Sequence, residues 1–142
     1  MNTNYQTLIP KRIFIGGVAD IEEMMNNEQV DVIYDLRAES PIEESPYNRV
    51  HSPIIDDADY QDESVRNAIN RVVKNFKEGK KVYFHCSGGR NRTGTVAIGV
   101  LLELKEAGTI EEAEQKAKSI RNQIKVKPEM KEVLKRLYPN AL

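Results

Sequence analysis

The chain is poor in residues that cross-link or metallate a fold. Its 142 residues include one cysteine, Cys86, and two histidines, His51 and His85. A single cysteine excludes an internal disulfide framework. One Cys and two His also fall short of the ligand set of a structural zinc site. No apolar run approaches the roughly 20 residues that span a bilayer. The polar start Met1-Asn2-Thr3-Asn4 lacks the charged and apolar pattern of a secretory signal. These absences predict a cytoplasmic protein that does not use a membrane. An excess of either charge is missing too: 21 Lys and Arg face 22 Asp and Glu, a formal net charge of −1. That balance disfavours nucleic acid as a partner. Internal repeats, low-complexity tracts and interdomain linkers are also lacking, so residues 1–142 are expected to form a single domain around one core.

What is present is concentrated in the decapeptide His85-Cys86-Ser87-Gly88-Gly89-Arg90-Asn91-Arg92-Thr93-Gly94. Before it, Lys81-Val82-Tyr83-Phe84 reads as a short buried strand. After it, Thr95-Val96-Ala97-Ile98-Gly99-Val100-Leu101-Leu102 reads as a buried helix, which makes the glycine-rich stretch a strand-to-helix turn. Such a turn directs free backbone N–H groups and the positive end of a helix dipole into one small space, where they bind a phosphate and favour a thiolate. Cys86 is therefore the candidate nucleophile. Gly88 and Gly89 let the backbone curl around a ligand. Arg92 has the planar fork that grips two phosphate oxygens at once. Arg90 is read either as a second binding cation or as a solvated loop residue.

The rest of the chain alternates strands with helices. Ile13-Phe14-Ile15-Gly16-Gly17 and Val32 to Asp35 read as strands. Asp20 and Glu23 have capping-box spacing for a short helix through about Asn26. Arg37 to Asn48, rich in Glu, Ser and Pro, reads as an exposed loop, and Val50 opens a strand that ends in the acidic run Asp56-Asp57-Ala58-Asp59. Val65, Ala68, Ile69, Val72, Val73 and Phe76 carry helical spacing up to a cap at Gly79. Thr109 and Glu112 predict a capped helix to about Arg121, and Pro128 opens a last helix striped by Met130, Val133, Leu134 and Leu137. The expected fold is α/β: three layers, α/β/α, with a central, largely parallel sheet of four to five strands and helices on both faces. In such sheets ligands bind at the carboxyl ends of strands, where the Cys86 turn falls. Arg37 and Arg121 are read as structural, Arg37 through an ion pair to Glu39 or the acidic loop.

The turn resembles the signature of cysteine-dependent protein phosphatases, namely His, Cys, five residues, Arg, then Ser or Thr, matched at His85, Cys86, Arg92 and Thr93. Ile13 to Gly17 and Val32 to Arg37 resemble the opening strands of the compact dual-specificity phosphatase domain. Ile120-Arg121 and Pro128 extend the resemblance over residues 11 to 138. It implies a two-step reaction through a phosphocysteine on Cys86, with Arg92 and the loop Ser87, Gly88, Gly89, Arg90, Asn91 and Thr93 binding phosphate. The implied role of the Thr93 hydroxyl is to assist the sulfur, and that of His85 is to shape the loop. The general acid is implied to be Asp57, with Asp56 next and Asp59 third. No metal and no cofactor are implied.

The implied substrate is a phosphorylated protein, at tyrosine and at serine or threonine, because the chain lacks the extensions that deepen the pocket of tyrosine-specific relatives. Two alternatives stay open. Asn91 to Gly94 resembles the RNA 5′-phosphatase branch, which usually has His at Gly88, and Arg90 resembles phosphoinositide phosphatases, which usually have Lys at Ser87. A non-catalytic phosphopeptide-binding module is disfavoured because Cys86 and Arg92 are both present. A cysteine protease would need Cys86 paired with His51, for which the sequence offers no support. The oligomeric state has no sequence signature here.

Overall fold

A computed structural model describes residues 3–38, 48–55 and 59–142. Its strands, in chain order, are β1 (Gln6–Ile9), β2 (Ile13–Gly17), β3 (Val32–Asp35), β4 (Arg49–His51) and β5 (Val82–Cys86). Its helices are α1 (Ile21–Glu28), α2 (Gln61–Lys77), α3 (Arg92–Glu103), α4 (Ile110–Ile120) and α5 (Pro128–Leu137), with single 3-10 turns at Val18–Asp20 and Pro139–Ala141. The strands form one sheet in the order β1-β2-β5-β3-β4. All neighbours run parallel except β1 and β2, which pair antiparallel. The expected α/β fold with a largely parallel sheet is observed.

Topology dictates which face each helix covers. The step from β2 to β3 crosses the sheet in one direction, and the step from β4 to β5 crosses back. Strand-helix-strand crossovers are right-handed, so α1 and α2 must lie on opposite faces. The packing agrees. Alternate residues of the sheet, Phe14, Ile33 and Tyr83, point to Met24 of α1, with Tyr5 completing that small cluster. Ile13, Ile15, Tyr34, Val82 and Phe84 point the other way, into a much larger core shared with α2, α3, α4 and α5. Each strand side chain is assigned to a face by the period of two, and β5 is buried throughout because both its faces are covered.

Local signals account for most boundaries. Gly79, with φ +85, ends α2. Its N–H donates to Phe76 O and the Lys80 N–H to Asn75 O, the paired bonds of a left-handed helix cap. Thr109 caps α4 by accepting from the Glu112 N–H at 3.1 Å, and Pro128 is the first residue of α5. The Asp20 capping box is a misreading. Asp20 reaches back, accepting from the Gly17 N–H at 2.8 Å, and Glu23 accepts from the Asn4 N–H, because the 3-10 turn Val18–Asp20 redirects the chain before α1 begins. Strand β1 was not anticipated. It enters through a tight turn in which Arg12 N–H donates to Ile9 O and Lys11 takes φ +65, a position that composition alone assigns to Gly or Asn.

Near the outer edge, the buried Asp35 carboxylate joins β3 to β4. Arg37 grips it with Nε and Nη2 at 3.0 and 2.8 Å, and Arg49 of β4 pairs with it as well. Arg37 is thus structural as expected, with Asp35 as partner; Glu39 lies outside the described residues. The inner packing is equally tight. A Cβ at Gly99 of α3 would sit 2.2 Å from Ile69 Cδ1 of α2. Replacing Gly99 by Ala is expected to lower the unfolding free energy by about 1–3 kcal/mol through overpacking, and adding Ile69→Val should restore part of it. Urea denaturation of the two variants checks this; equal stability of wild type and Gly99→Ala would show that α2 and α3 can slide apart freely.

Candidate active site at the carboxyl edge of the sheet

Strands β2, β3 and β5 end side by side, with Gly17 opposite Cys86 and Asp35 opposite His85. Cys86 closes β5 and Arg92 opens α3, leaving Ser87 to Asn91 as the turn between them. The direction of that turn's amides follows from its carbonyls. Ser87 O accepts from the Val18 N–H at 3.1 Å and Arg90 O from the Lys125 N–H at 3.1 Å. Gly88 O and Gly89 O accept from Arg121 Nη2 and Nε at 3.1 and 2.9 Å. In a planar trans peptide the C=O and the following N–H point in opposite directions. Four carbonyls held on the outside therefore turn the N–H groups of Gly88, Gly89, Arg90 and Asn91 inward.

On that inner side lies a cavity of about 450 Å³ lined by Cys86, Ser87, Gly88, Arg90, Asn91, Arg92, Lys125 and Lys127. Cys86 is 7% exposed, its sulfur lying where the apolar core meets the cavity floor. The fully buried Thr93 donates its hydroxyl proton to Cys86 Sγ at 3.1 Å. Arg92 is half-buried and Arg90 exposed. Asn91 is spent on structure: its Oδ1 accepts from the Lys127 N–H at 2.8 Å. Gly89 has φ +68, and a Cβ there would lie 2.6 Å from the Gly16 carbonyl and 2.7 Å from Arg121 Nη2. Both strain and space reserve the position for glycine.

A second layer braces the loop from behind. Arg121 is 4% exposed, and besides the loop carbonyls it donates to Asn4 O at 2.7 Å and Gln6 Oε1 at 2.6 Å. The Asp20 carboxylate stands 4.0 Å from its Nη2. Burial pushes the Tyr83 hydroxyl far above its ordinary pKa, so it stays protonated and donates to Gly17 O at 2.7 Å. His85 is fully buried and stacked on Tyr83, with Nδ1 3.1 Å from Cys86 O and Nε2 without a partner among the described residues.

Not every expected residue is brought here. Asp57 and Asp56 lie outside the described residues. Asp59 is exposed beside α2 and is not among the residues lining the cavity. His51 is held away from Cys86: its Nε2 lies 2.5 Å from Arg37 O, and it borders a separate cavity with Tyr60, Asn67 and Arg71. Among the described residues no group of His, Cys, Asp and Glu is arranged to hold a metal ion, and no helix is long and apolar enough to cross a membrane. The sequence reading missed three contributors. Arg121 was read as structural without its link to the loop, and Lys125 and Lys127 were passed over, although the alternation Ile124-Lys125-Val126-Lys127 was a readable sign of a two-sided segment.

Comparison with known proteins identifies the family. The dual specificity phosphatase catalytic domain matches residues 13–139, and the chain belongs to that family of cysteine-based phosphatases. The phosphatidylglycerophosphate phosphatase PTPMT2 of Arabidopsis thaliana is 27% identical over 124 residues, covering 87% of this chain and 51% of that protein. The chain thus spans about half the length of this curated relative. Among solved structures, Tk-PTP in its active form superposes with a TM-score of 0.79 at 23% identity, covering 98% of this chain and 99% of that one. Human DUSP28 gives 0.78 at 18%, covering 96% and 93%. PTPMT1 in complex with PI(5)P gives 0.77 at 18%, covering 96% and 95%. These structural likenesses show the fold.

Two outcomes are expected. Burial holds the His85 pKa below its ordinary 6.5. The unfolded chain then binds the proton more readily, so the stability tied to neutral His85 is complete above pH 6.5 and drains away as pH falls through the window below it. Urea midpoints at neutral and acid pH should therefore fall less on acidification in His85→Asn than in wild type; parallel losses would remove His85 from the account. Arg121→Lys keeps the charge but loses the fork across Gly88 and Gly89, and inorganic phosphate should bind roughly tenfold or more weakly by calorimetry. Unchanged affinity would mean that the loop holds its shape without Arg121.

Proposed function

We propose that the chain is a single catalytic domain that hydrolyses phosphomonoesters through a phosphocysteine on Cys86, without a metal. The observation that carries the reading is the Cys86 sulfur at the floor of a cavity, hydrogen-bonded to Thr93, with inward-turned amides and Arg92 around it. The thiolate attacks phosphorus in line, and the bond to the leaving oxygen breaks as S–P forms. Arg92 and the amides of Gly88 to Asn91 stabilise the charge on the three equatorial oxygens. Asp57 protonates the leaving alkoxide or phenoxide. Its carboxylate then takes a proton from the water that attacks phosphorus, and S–P breaks with the sulfur leaving as thiolate, assisted by the Thr93 hydroxyl.

Backbone bonds support placing the acid on this edge. Leu36 N–H donates to His85 O at 2.8 Å and Ile54 N–H to Leu36 O at 3.1 Å. The chain at Ile54 therefore runs about two strand spacings, roughly 10 Å, from the end of β5, and Asp57 follows Ile54 closely in the sequence. His85 acts as a positioning residue for the Cys86 peptide. The first substrate reading is phosphotyrosine and phosphoserine or phosphothreonine in proteins, admitted by an open cavity. The second is a phospholipid monoester, favoured by the likeness to an enzyme named for phosphatidylglycerophosphate.

Turnover of p-nitrophenyl phosphate in the presence of a chelator tests the chemistry. Cys86→Ser should abolish it, and Arg92→Lys should lower kcat by about 10²–10³. Asp57→Asn should flatten the basic limb of the pH-rate profile; if Asp56→Asn does so instead, the acid is Asp56. Phosphopeptides set beside a short-chain phosphatidylglycerophosphate then separate the two substrate readings by kcat/KM. Retained turnover in Cys86→Ser would end the phosphocysteine mechanism.

A further inference from the structure

The cavity over Cys86 carries more positive charge than one phosphate requires. Its lining includes four cations, Arg90, Arg92, Lys125 and Lys127, and no carboxylate among the described residues, in a chain whose formal net charge is −1. A scissile phosphate is met by Arg92 and the loop amides, which leaves three cations for something else. Four lysines outside the cavity are ion-paired, Lys116 with Glu106, Lys118 and Lys131 with Glu114, and Lys135 with Glu132. Among the described residues no acidic side chain pairs with Lys125 or Lys127.

Their placement is built into the fold. Between α4 and α5 the chain turns at Asn122 and Gln123 and then alternates in burial, with Ile124 and Val126 3% and 6% exposed and the two lysines exposed. The buried pair packs on α3 so closely that a Cβ at Gly94 would lie 2.7 Å from Ile124 Cγ2. Two further bonds pin the register against the loop, Lys125 N–H to Arg90 O and Lys127 N–H to Asn91 Oδ1. Alternation then sends both lysines to the same side, with Cα atoms about 6–7 Å apart. The volume of about 450 Å³ falls within the range of small-molecule sites.

We propose that Lys125 and Lys127 form a second oxyanion subsite beside the phosphate loop, so that the preferred substrate is a polyol phosphate bearing another phosphate a few bonds from the scissile ester. The inference rests on the phosphomonoesterase reading and names the substrate class for it. It gives the segment before α5 a specificity role, with Arg90, which lines the same cavity, sharing the charge.

A minimal substrate pair tests it: propane-1,3-diol monophosphate and bisphosphate, read as kcat/KM for phosphate release. Wild type should prefer the bisphosphate by about tenfold or more per ester, and the Lys125→Ala/Lys127→Ala double variant should bring the two substrates level. Both positions are exposed, and a melting curve verifies that the variant folds. Equal losses on both substrates would reduce the lysines to a general attractive field and overturn the subsite, as would a wild type without preference. Short-chain phosphatidylglycerophosphate, with a diester as its second anion, should show the same dependence on the lysines. A preference confined to a doubly phosphorylated peptide would overturn the polyol assignment. Turnover of p-nitrophenyl phosphate without discrimination within the propanediol pair sinks only the subsite, whereas no turnover of any ester sinks the phosphatase reading beneath it.

Discussion

A short run of carbonyls facing the wrong way for a ligand is what makes this site able to hold one. Ser87, Gly88, Gly89 and Arg90 hand their oxygens to Val18, Arg121 and Lys125, and peptide planarity then fixes the donors on the other side. Bonds from the protein's own groups hold that geometry, which lowers the cost of ordering the loop on binding. Much of what surrounds the loop serves this arrangement. Tyr83 donates to Gly17 O, Asp20 accepts from the Gly17 N–H, and Arg121 ties the loop to Asn4 and to Gln6 of β1.

The sheet supplies the rest. A parallel sheet gathers strand carboxyl ends on one edge, and the central strand of this one ends in the cysteine. The right-handed crossovers that cover both faces also bring Leu36, after β3, and Ile54, after β4, to the same edge, where Leu36 N–H donates to His85 O and Ile54 N–H to Leu36 O.

The sequence made some of this legible and not the rest, for reasons tied to range. Elements whose signal is local were read well. The cap at Gly79, the Thr109 cap, the Pro128 start and the strand-to-helix turn around Cys86 each depend on neighbours a few residues away. Where the deciding contact is distant, reading failed. Asp20 looks like a helix cap until Gly17 is seen to need its carboxylate. Strand β1 exists because Ile13 to Gly17 offers it an edge. Arg121 and its Gly88 and Gly89 acceptors are separated by more than thirty positions, and no period or propensity reports such a pairing. The family resemblance pointed to Cys86 and Arg92, which the structure places at the two ends of one turn, while its proposed acid, Asp57, lies outside the described residues.

The two faces of the sheet are unequally upholstered. One is quilted by four helices, whereas on the other a single short one, α1, packs its Met24 with four other buried side chains. Tyr83 and Asp20, which steady the loop from below, belong to the thinner side. Regions with few buried apolar contacts open at a lower cost than the molecule as a whole. On warming, then, turnover should fade while the main core is still intact, making catalytic lifetime a more sensitive gauge of α1 than any probe of global melting.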